Sequence, residues 1–248
     1  MVSSNSNIAS ARAFCVFFIF SLINNYNIQL PFHFPDNFLE NLNKIHIVAC
    51  GSAYHVGMTA KYIIEDMVHI PVMVDIASEF RYRNPVIDKN DLCIFISQSG
   101  ETADTLASLR NTKKKGAFTL SIVNVPFSTI ARESDGVIHT NAGVEIAVAT
   151  TKAFSAQLSV IYLLSAFLSQ KKGLMNDVEL KKFTENVLSL PEKIQTALEC
   201  DTATKELAEK MIDGLDFDYT KIERDSGTFQ VSFKFNNIDF KFMNDVEL

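Results

Sequence analysis

Between Lys44 and Gln170 the chain keeps returning to one pattern, a short apolar run followed by a stretch with helical spacing. The runs are Ile45–Cys50, Pro71–Asp75, Leu92–Ile96, Phe118–Val123 and Gly136–Thr140, each five or six residues long. Runs this short and this continuously apolar predict strands buried on both faces. Between them, Ala60, Ile63, Ile64, Met67 and Val68 predict a helix to about His69, and Ala103, Leu106, Ala107 and Arg110 a second. Ser128–Glu133 reads as a short helix and about Thr151–Gln170 as a long apolar one. Strands that alternate with helices pair in parallel through right-handed crossovers, and these place helices on both faces. The expected fold is α/β, a three-layer doubly wound five-stranded parallel sheet, and ligands of such sheets sit beyond the carboxyl ends of the strands.

Past Lys171 the segments become charged and helical: Val178–Leu188, Pro191 to about Cys200, and Thr202–Met211. The final stretch alternates, with Phe229, Val231, Phe233 and Phe235 before Asn236-Asn237 and Ile238, Phe240 and Phe242 after it, which predicts a C-terminal β-hairpin. Met175–Leu180 recurs letter for letter as Met243–Leu248, far too short for a structural repeat, and reads as a duplicated segment. Near the amino terminus Ala13–Ile23 is strongly apolar and too short to cross a bilayer. Its length suits a signal-peptide core, but no small-residue cleavage site follows; a replaced leader whose apolar residues pack on the domain or stay loose is the preferred reading. The expected division is residues 1–40 an atypical leader able to form an apolar helix, 41–172 the α/β domain, 173–212 a helical extension and 213–248 a hairpin tail.

A net charge of -6 leaves no footprint for nucleic acid, and the basic run Lys113–Lys115 before Gly116 fits a helix carboxyl end, where cations meet the dipole favourably. Four scattered cysteines and five histidines without ligand spacing predict no disulfide framework, no metal site and no cofactor. Cys50 and Cys93 read as buried thiols of a reducing cytosol, so the expected location is cytoplasmic, without stable membrane insertion.

The chemistry concentrates in Ser97-Gln98-Ser99-Gly100-Glu101-Thr102, between a buried strand and a helix start. Hydroxyls, a glycine and helix-start amides converging at the positive end of a dipole bind a phosphate dianion without a lysine. A second reading stays open on the residues alone, in which Thr102 only caps the helix. Two further loops, Cys50–Ala53 and Glu145–Lys152, end strands on the same edge, and three such loops make a pocket.

The runs ACGSAYHVGM (49–58), ASEFRYR (77–83), SQSGETADTL (97–106), ESDGVIHTNAG (133–143) and VATTKAF (148–154) resemble the first sugar isomerase (SIS) domain of the glutamine-fructose-6-phosphate aminotransferase family, the glucosamine-6-phosphate synthases. The likeness covers about half the chain. It implies that Ser97, Gln98, Ser99 and Thr102 hold the phosphate of fructose 6-phosphate or glucosamine 6-phosphate, while Gly51, Ser52, Val148 and Thr150 line the sugar. Ala53 departs from the hydroxyl residue often found there. Glu79, Arg81 and Arg83 are assigned to packing and subunit contact rather than catalysis.

In that family a glutaminase cysteine and the Lys-Glu-His set of ketose-to-aldose chemistry lie outside the first SIS domain, and nothing in this sequence resembles them; catalytic residues are therefore left unassigned. The resemblance implies a truncated synthase relative of hexosamine biosynthesis that binds phosphosugar and forms homo-oligomers or SIS–SIS pairs. Two alternatives stand beside it. One is a stand-alone homo-oligomeric isomerase with Glu101, Glu145 or His55 as base; the other is a regulatory module that pairs with a full-length synthase.

Overall fold

The computed structural model describes residues 21–143, 152–199, 204–206, 222–225, 228–235 and 238–245. They fall into two compact units divided after Pro191. In the first, β3 (Lys44–Ala49), β4 (Val72–Ile76), β5 (Asp91–Ser97), β6 (Phe118–Val123) and β7 (Gly136–His139) form an all-parallel sheet in the order β4-β3-β5-β6-β7. A short hairpin of β1 (Ile23–Asn24) and β2 (Asn27–Ile28) precedes it.

Alternation along each strand feeds two cores. Ile45, Ile47, Leu92, Ile94, Ile96, Leu120 and Ile122 face α1 (Ser52–Val68) and α5 (Lys152–Lys171). Val48, Cys93, Phe95 and Val123 face α2 (Ala77–Tyr82), α3 (Ala103–Lys114) and α4 (Thr129–Glu133). The expected three layers are thus present, and every predicted strand lies within a residue or so of its expected place. The helix α5 is long and apolar enough to cross a membrane, but it buries Ala156, Val160, Ile161, Leu164 and Leu168 in the domain core.

Helix α6 (Asp177–Leu188) starts at a capping box: Asn176 Oδ1 accepts from the N–H groups of Val178 and Glu179, and Glu179 accepts from Asn176 N–H. Leu180 and Thr184 are buried, and Thr184 Oγ1, within hydrogen-bond reach of the Leu180 and Lys181 carbonyls of its own helix, also lies 3.3 Å from the Tyr26 carbonyl, so α6 packs on the domain. Helix α7 (Leu190–Leu198) follows it.

The chain ahead of β3 also packs on the domain. Leu22, Ile28, Phe38 and Leu42 are buried in the core. Phe34 lies centrally among aromatic rings, 5.5 Å from Phe38 in a stack, 5.1 Å from Phe118 on β6 and 6.5 Å from Phe167 on α5. Phe32 lies so close to Gly136 that a Cβ there would meet its ring at 2.8 Å, which fixes glycine as the first residue of β7.

In the second unit the backbone of β8 (Ile222–Asp225), β9 (Thr228–Phe235) and β10 (Ile238–Asp245) forms an antiparallel three-stranded sheet in the order β10-β9-β8. The register sets Phe235 opposite Ile238, Phe233 opposite Phe240 and Val231 opposite Phe242, which gathers the alternating apolar positions on one face. The predicted hairpin is there, and β8 is an addition to it. The Asn236-Asn237 turn and most of Thr202–Met211 lie outside the described residues, as does Ala13–Phe20 of the apolar leader run.

His46 is buried between β3 and α2, 3.7 Å from Asp91 and edge-on to Phe80. Burial pushes its pKa below the ordinary 6.5, against an opposing pull from Asp91. Below that value the unfolded chain takes up the proton first, so this stability is fully present above about pH 6.5 and is lost as the pH falls. His139, also lowered by burial, adds to the same slope. Denaturant melts between about pH 7.5 and 5 should show falling stability, and His46→Leu should remove part of that fall; an unchanged slope in the variant refutes the assignment. Phe38→Ala should cost about 3 kcal/mol in the same melts, as loss of a buried ring does.

Candidate functional site

The chain leaves β3 towards β4 on one side, then crosses back to place β5, β6 and β7 on the other. The loops after β3 and β5 therefore diverge at neighbouring strand ends, and such a switch point is where doubly wound sheets bind ligands. Both helices that start here, α1 and α3, lack a side-chain cap at Gly51 and Thr102. Their dipoles bring two positive ends to one crevice. Gly51 has φ 57° and ψ -135°, with open space where a Cβ would stand, so the glycine is required by the backbone rather than by crowding. Beside it, Thr105 in the first turn of α3 lies 4.0 Å from the Cys50 sulfur across the switch point.

The Ser97–Thr102 loop is held by its own hydroxyls. Ser97 Oγ accepts from the Gly100 N–H at 3.0 Å and lies 3.0 Å from Thr102 Oγ1. Ser99 Oγ accepts from the Glu101 N–H at 3.2 Å. The Thr102 hydroxyl turns to Ser97 rather than capping α3, so the capping alternative is not what is built. Within the Ser97–Thr102 pair one hydroxyl donates to the other, which leaves one proton directed elsewhere. Ser97 is only 3% exposed, whereas Gln98, Ser99 and Thr102 are half-buried at the rim. The single acid in the first turn of α3, Asp104, is paired with Arg81 at 2.7 Å, so its charge is offset beside the crevice.

Contacts from the β6–α4 connection and the start of α4 fix the loop from outside, among them the Ile130 N–H on the Gly100 carbonyl at 3.0 Å. Gly100 has φ 65°, and a Cβ on it would lie 2.0 Å from Ser128 Oγ. The Glu101 carboxylate accepts from the Thr129 N–H at 2.6 Å, and that bond holds its pKa below the usual range. The Asn124 N–H donates to the Gln98 carbonyl at 3.1 Å. None of Asn124, Ser128 and Thr129 is singled out by sequence, because the motif to which they bind lies more than twenty residues earlier; the only cue is an Asn-Val-Pro turn directly after a strand.

Ser52, at the start of α1, is exposed, and Ala53 is buried. Val148, Thr150 and Glu145 lie outside the described residues. Arg81 pairs with Asp104, and Arg83 pairs with Asp75 at 2.7 Å, which agrees with a packing role for the ASEFRYR segment. Two cavities lie elsewhere: one of about 460 Å³ at the amino ends of β5 and β6, beside Asn37, Phe38 and Asp135, and one of about 280 Å³ between α2 and α3. Neither is the switch point.

Gly100→Ala should lower stability by about 3 kcal/mol, of which 1 to 2 reflects the positive φ and the rest the clash with Ser128. Ser128→Gly should restore the steric share alone. A double-mutant cycle by urea unfolding reads this coupling, and strictly additive losses would contradict the contact.

The comparisons agree with this geometry. A family model described as the SIS domain matches residues 38–166, just over half of the chain. Glutamine–fructose-6-phosphate aminotransferase (isomerizing) of Clostridium tetani is 55% identical over 172 residues, 69% of this chain and 28% of that protein. The Clostridium acetobutylicum enzyme of the same name is 51% identical over 172 residues, again 69% of this chain and 28% of that protein. The chain thus spans little more than a quarter of the length of these relatives. The solved C-terminal domain of glucosamine-fructose-6-phosphate aminotransferase from Francisella tularensis superposes with a TM-score of 0.75 at 39% identity, over 82% of this chain and 58% of that one. Glucosamine-6-phosphate deaminase of Thermotoga maritima shares the fold, with a TM-score of 0.55 at 24% identity over 75% of this chain and 53% of that one. The switch-point sheet, the SQSGET loop at its crevice and the matched family model together place this chain in the SIS domain family, on the branch of the glucosamine-6-phosphate synthase isomerase domain.

Proposed function

We propose that the chain binds a hexose phosphate, fructose 6-phosphate or glucosamine 6-phosphate, at the β3/β5 switch point, as one SIS half of a hexosamine-forming synthase. One observation carries this reading: the Ser97–Thr102 loop stands at the sheet's crevice with its helix start uncapped by a side chain. Thr102, Ser99 and Gln98 meet the phosphate, and the nearly buried Ser97 acts through Thr102 by orienting its hydroxyl. Gly51, Ser52, Val148 and Thr150 meet the sugar. The relatives' names support the substrate class, since both act on fructose 6-phosphate.

Of the proposed bases for stand-alone isomerisation, Glu101 is a poor one. Its carboxylate is occupied by the Thr129 amide, and a lowered pKa weakens a general base. His55 is exposed on the first turn of α1. Glu145 lies outside the described residues, and phosphosugar binding is the function proposed for this chain. The reading includes a cytoplasmic location, consistent with the free thiols of Cys50 and Cys93. It also includes pairing of SIS surfaces. Exposed Met73 and Ile76 on edge strand β4, with Met58 and Tyr62 on α1, support such a contact, and mass in solution tests it.

Calorimetric titration with glucosamine 6-phosphate should give saturable binding that glucosamine itself does not. Ser99→Ala with Thr102→Ala should weaken it by about 3 kcal/mol, roughly a hundredfold, since each hydrogen bond to a charged group contributes about 1.5 kcal/mol or more. Equal affinity in the double variant would reject the site.

A further inference from the structure

We propose that Glu101 is a positioning residue for phosphate binding: its carboxylate ties the Ser97–Thr102 loop to the start of α4 and keeps the loop in the shape that receives the anion. The inference rests on the phosphosugar reading above and adds to it a role for the one acidic residue of the loop.

An exposed carboxylate inside a loop that takes a dianion is an unfavourable choice unless its charge is engaged elsewhere, because like charges at short range repel. Here it is engaged on α4. Glu101 Oε1 accepts from the Thr129 N–H at 2.6 Å. Bonds from Thr129, with a smaller pull from Arg132, hold the carboxyl pKa below its usual range, so the group stays charged and bonded at neutral pH. Among the described residues this is the only side chain of the loop that bonds outside it. Ser97 bonds to the Gly100 N–H and to Thr102, and Ser99 to the Glu101 N–H. Glu101 is thereby held at both ends, its N–H on the Ser99 hydroxyl and its carboxylate on α4.

The receiving side is arranged for this bond. Ser128 occupies the N-cap of α4 yet makes no side-chain cap bond, and its buried hydroxyl has no hydrogen-bond partner among the described residues. The first amides of the helix go to the phosphate loop instead, Thr129 to the Glu101 carboxylate and Ile130 to the Gly100 carbonyl at 3.0 Å. Arg132 braces the turn ahead of them, donating to the Phe127 carbonyl and to Thr129 Oγ1, the latter at 3.0 Å. The residue type follows from the bond. Glutamine keeps an acceptor at the same reach, aspartate falls one methylene short, and alanine removes the tether. A glutamate present for solubility alone would leave its carboxylate to water.

The test titrates the full chain, Glu101→Ala and Glu101→Gln with glucosamine 6-phosphate and with inorganic phosphate, and follows amide exchange of Thr129. Glu101→Ala should bind both ligands about tenfold more weakly, since the tether acts on the loop that meets the phosphate, and its Thr129 amide should exchange about tenfold faster. Glu101→Gln restores the acceptor without the charge, and should bind no more than about threefold more weakly than the unaltered chain, with Thr129 exchange close to normal. Measured where every variant is folded, a role in stability alone would leave both affinities unaltered. Equal or tighter binding by Glu101→Ala, unaltered Thr129 exchange in it, or a loss in Glu101→Gln as large as that of alanine overturns the proposal and leaves the phosphosugar reading standing. If the unaltered chain binds neither ligand, that reading fails and the proposal falls with it.

Discussion

The structure depends on the side-by-side burial of β3 and β5. Ile45, Ile47 and Val48 on the first strand and Leu92, Cys93, Ile94 and Phe95 on the second are wholly inaccessible, with helices covering both faces. A parallel pair buried on both faces cannot slip by a residue without turning each side chain to the wrong core. That pair is also where the winding of the sheet reverses. The interaction that makes the domain stable thereby fixes where two loops part and two helices begin.

Packing and loop chemistry occupy opposite ends of the strands. At the amino ends, Phe34 and Phe38 pack on Phe118, and Lys44 and His46 stand against Asp91. At the carboxyl ends the groups that matter are hydroxyls and amides, and their arrangement is kept by neighbours outside the motif: Ser128 against Gly100, Thr129 on Glu101 and Asn124 on Gln98. The favourable field of a helix start falls away within a turn, so the orientation of these groups decides how they can act.

Much of the fold was legible because buried strands and amphipathic helices announce themselves by period. The parts that escaped lack a period. Helix α2 is six residues of ASEFRY, too short to show one, and β1, β2 and β8 span two to four residues each. The duplicated hexapeptide shows the limit most clearly: Asn176 opens a helix through a capping box, while its twin Asn244 stands in β10 opposite Phe229. Six residues do not set their own conformation; the partners available at each place do. In the site, the SQSGET segment was readable because its residue types crowd into one run, whereas its supports arrive from distant loops and carry no local mark.

The sequence by itself determined the alternation of strand and helix, the parallel three-layer class and the place of the SQSGET loop between a buried strand and a helix start, since each depends on spacing along the chain. Tertiary structure alone decided the strand order, the joining of the Phe32–Phe38 stretch to the core, and the turn of Thr102 towards Ser97 instead of its own helix. It also decided that Asn124 bonds both to Gln98 and to the residues just past β7. The physical reason is common to all four: these are contacts between residues far apart in the chain or among groups with several partners in reach, and only the closed packing of the domain selects one.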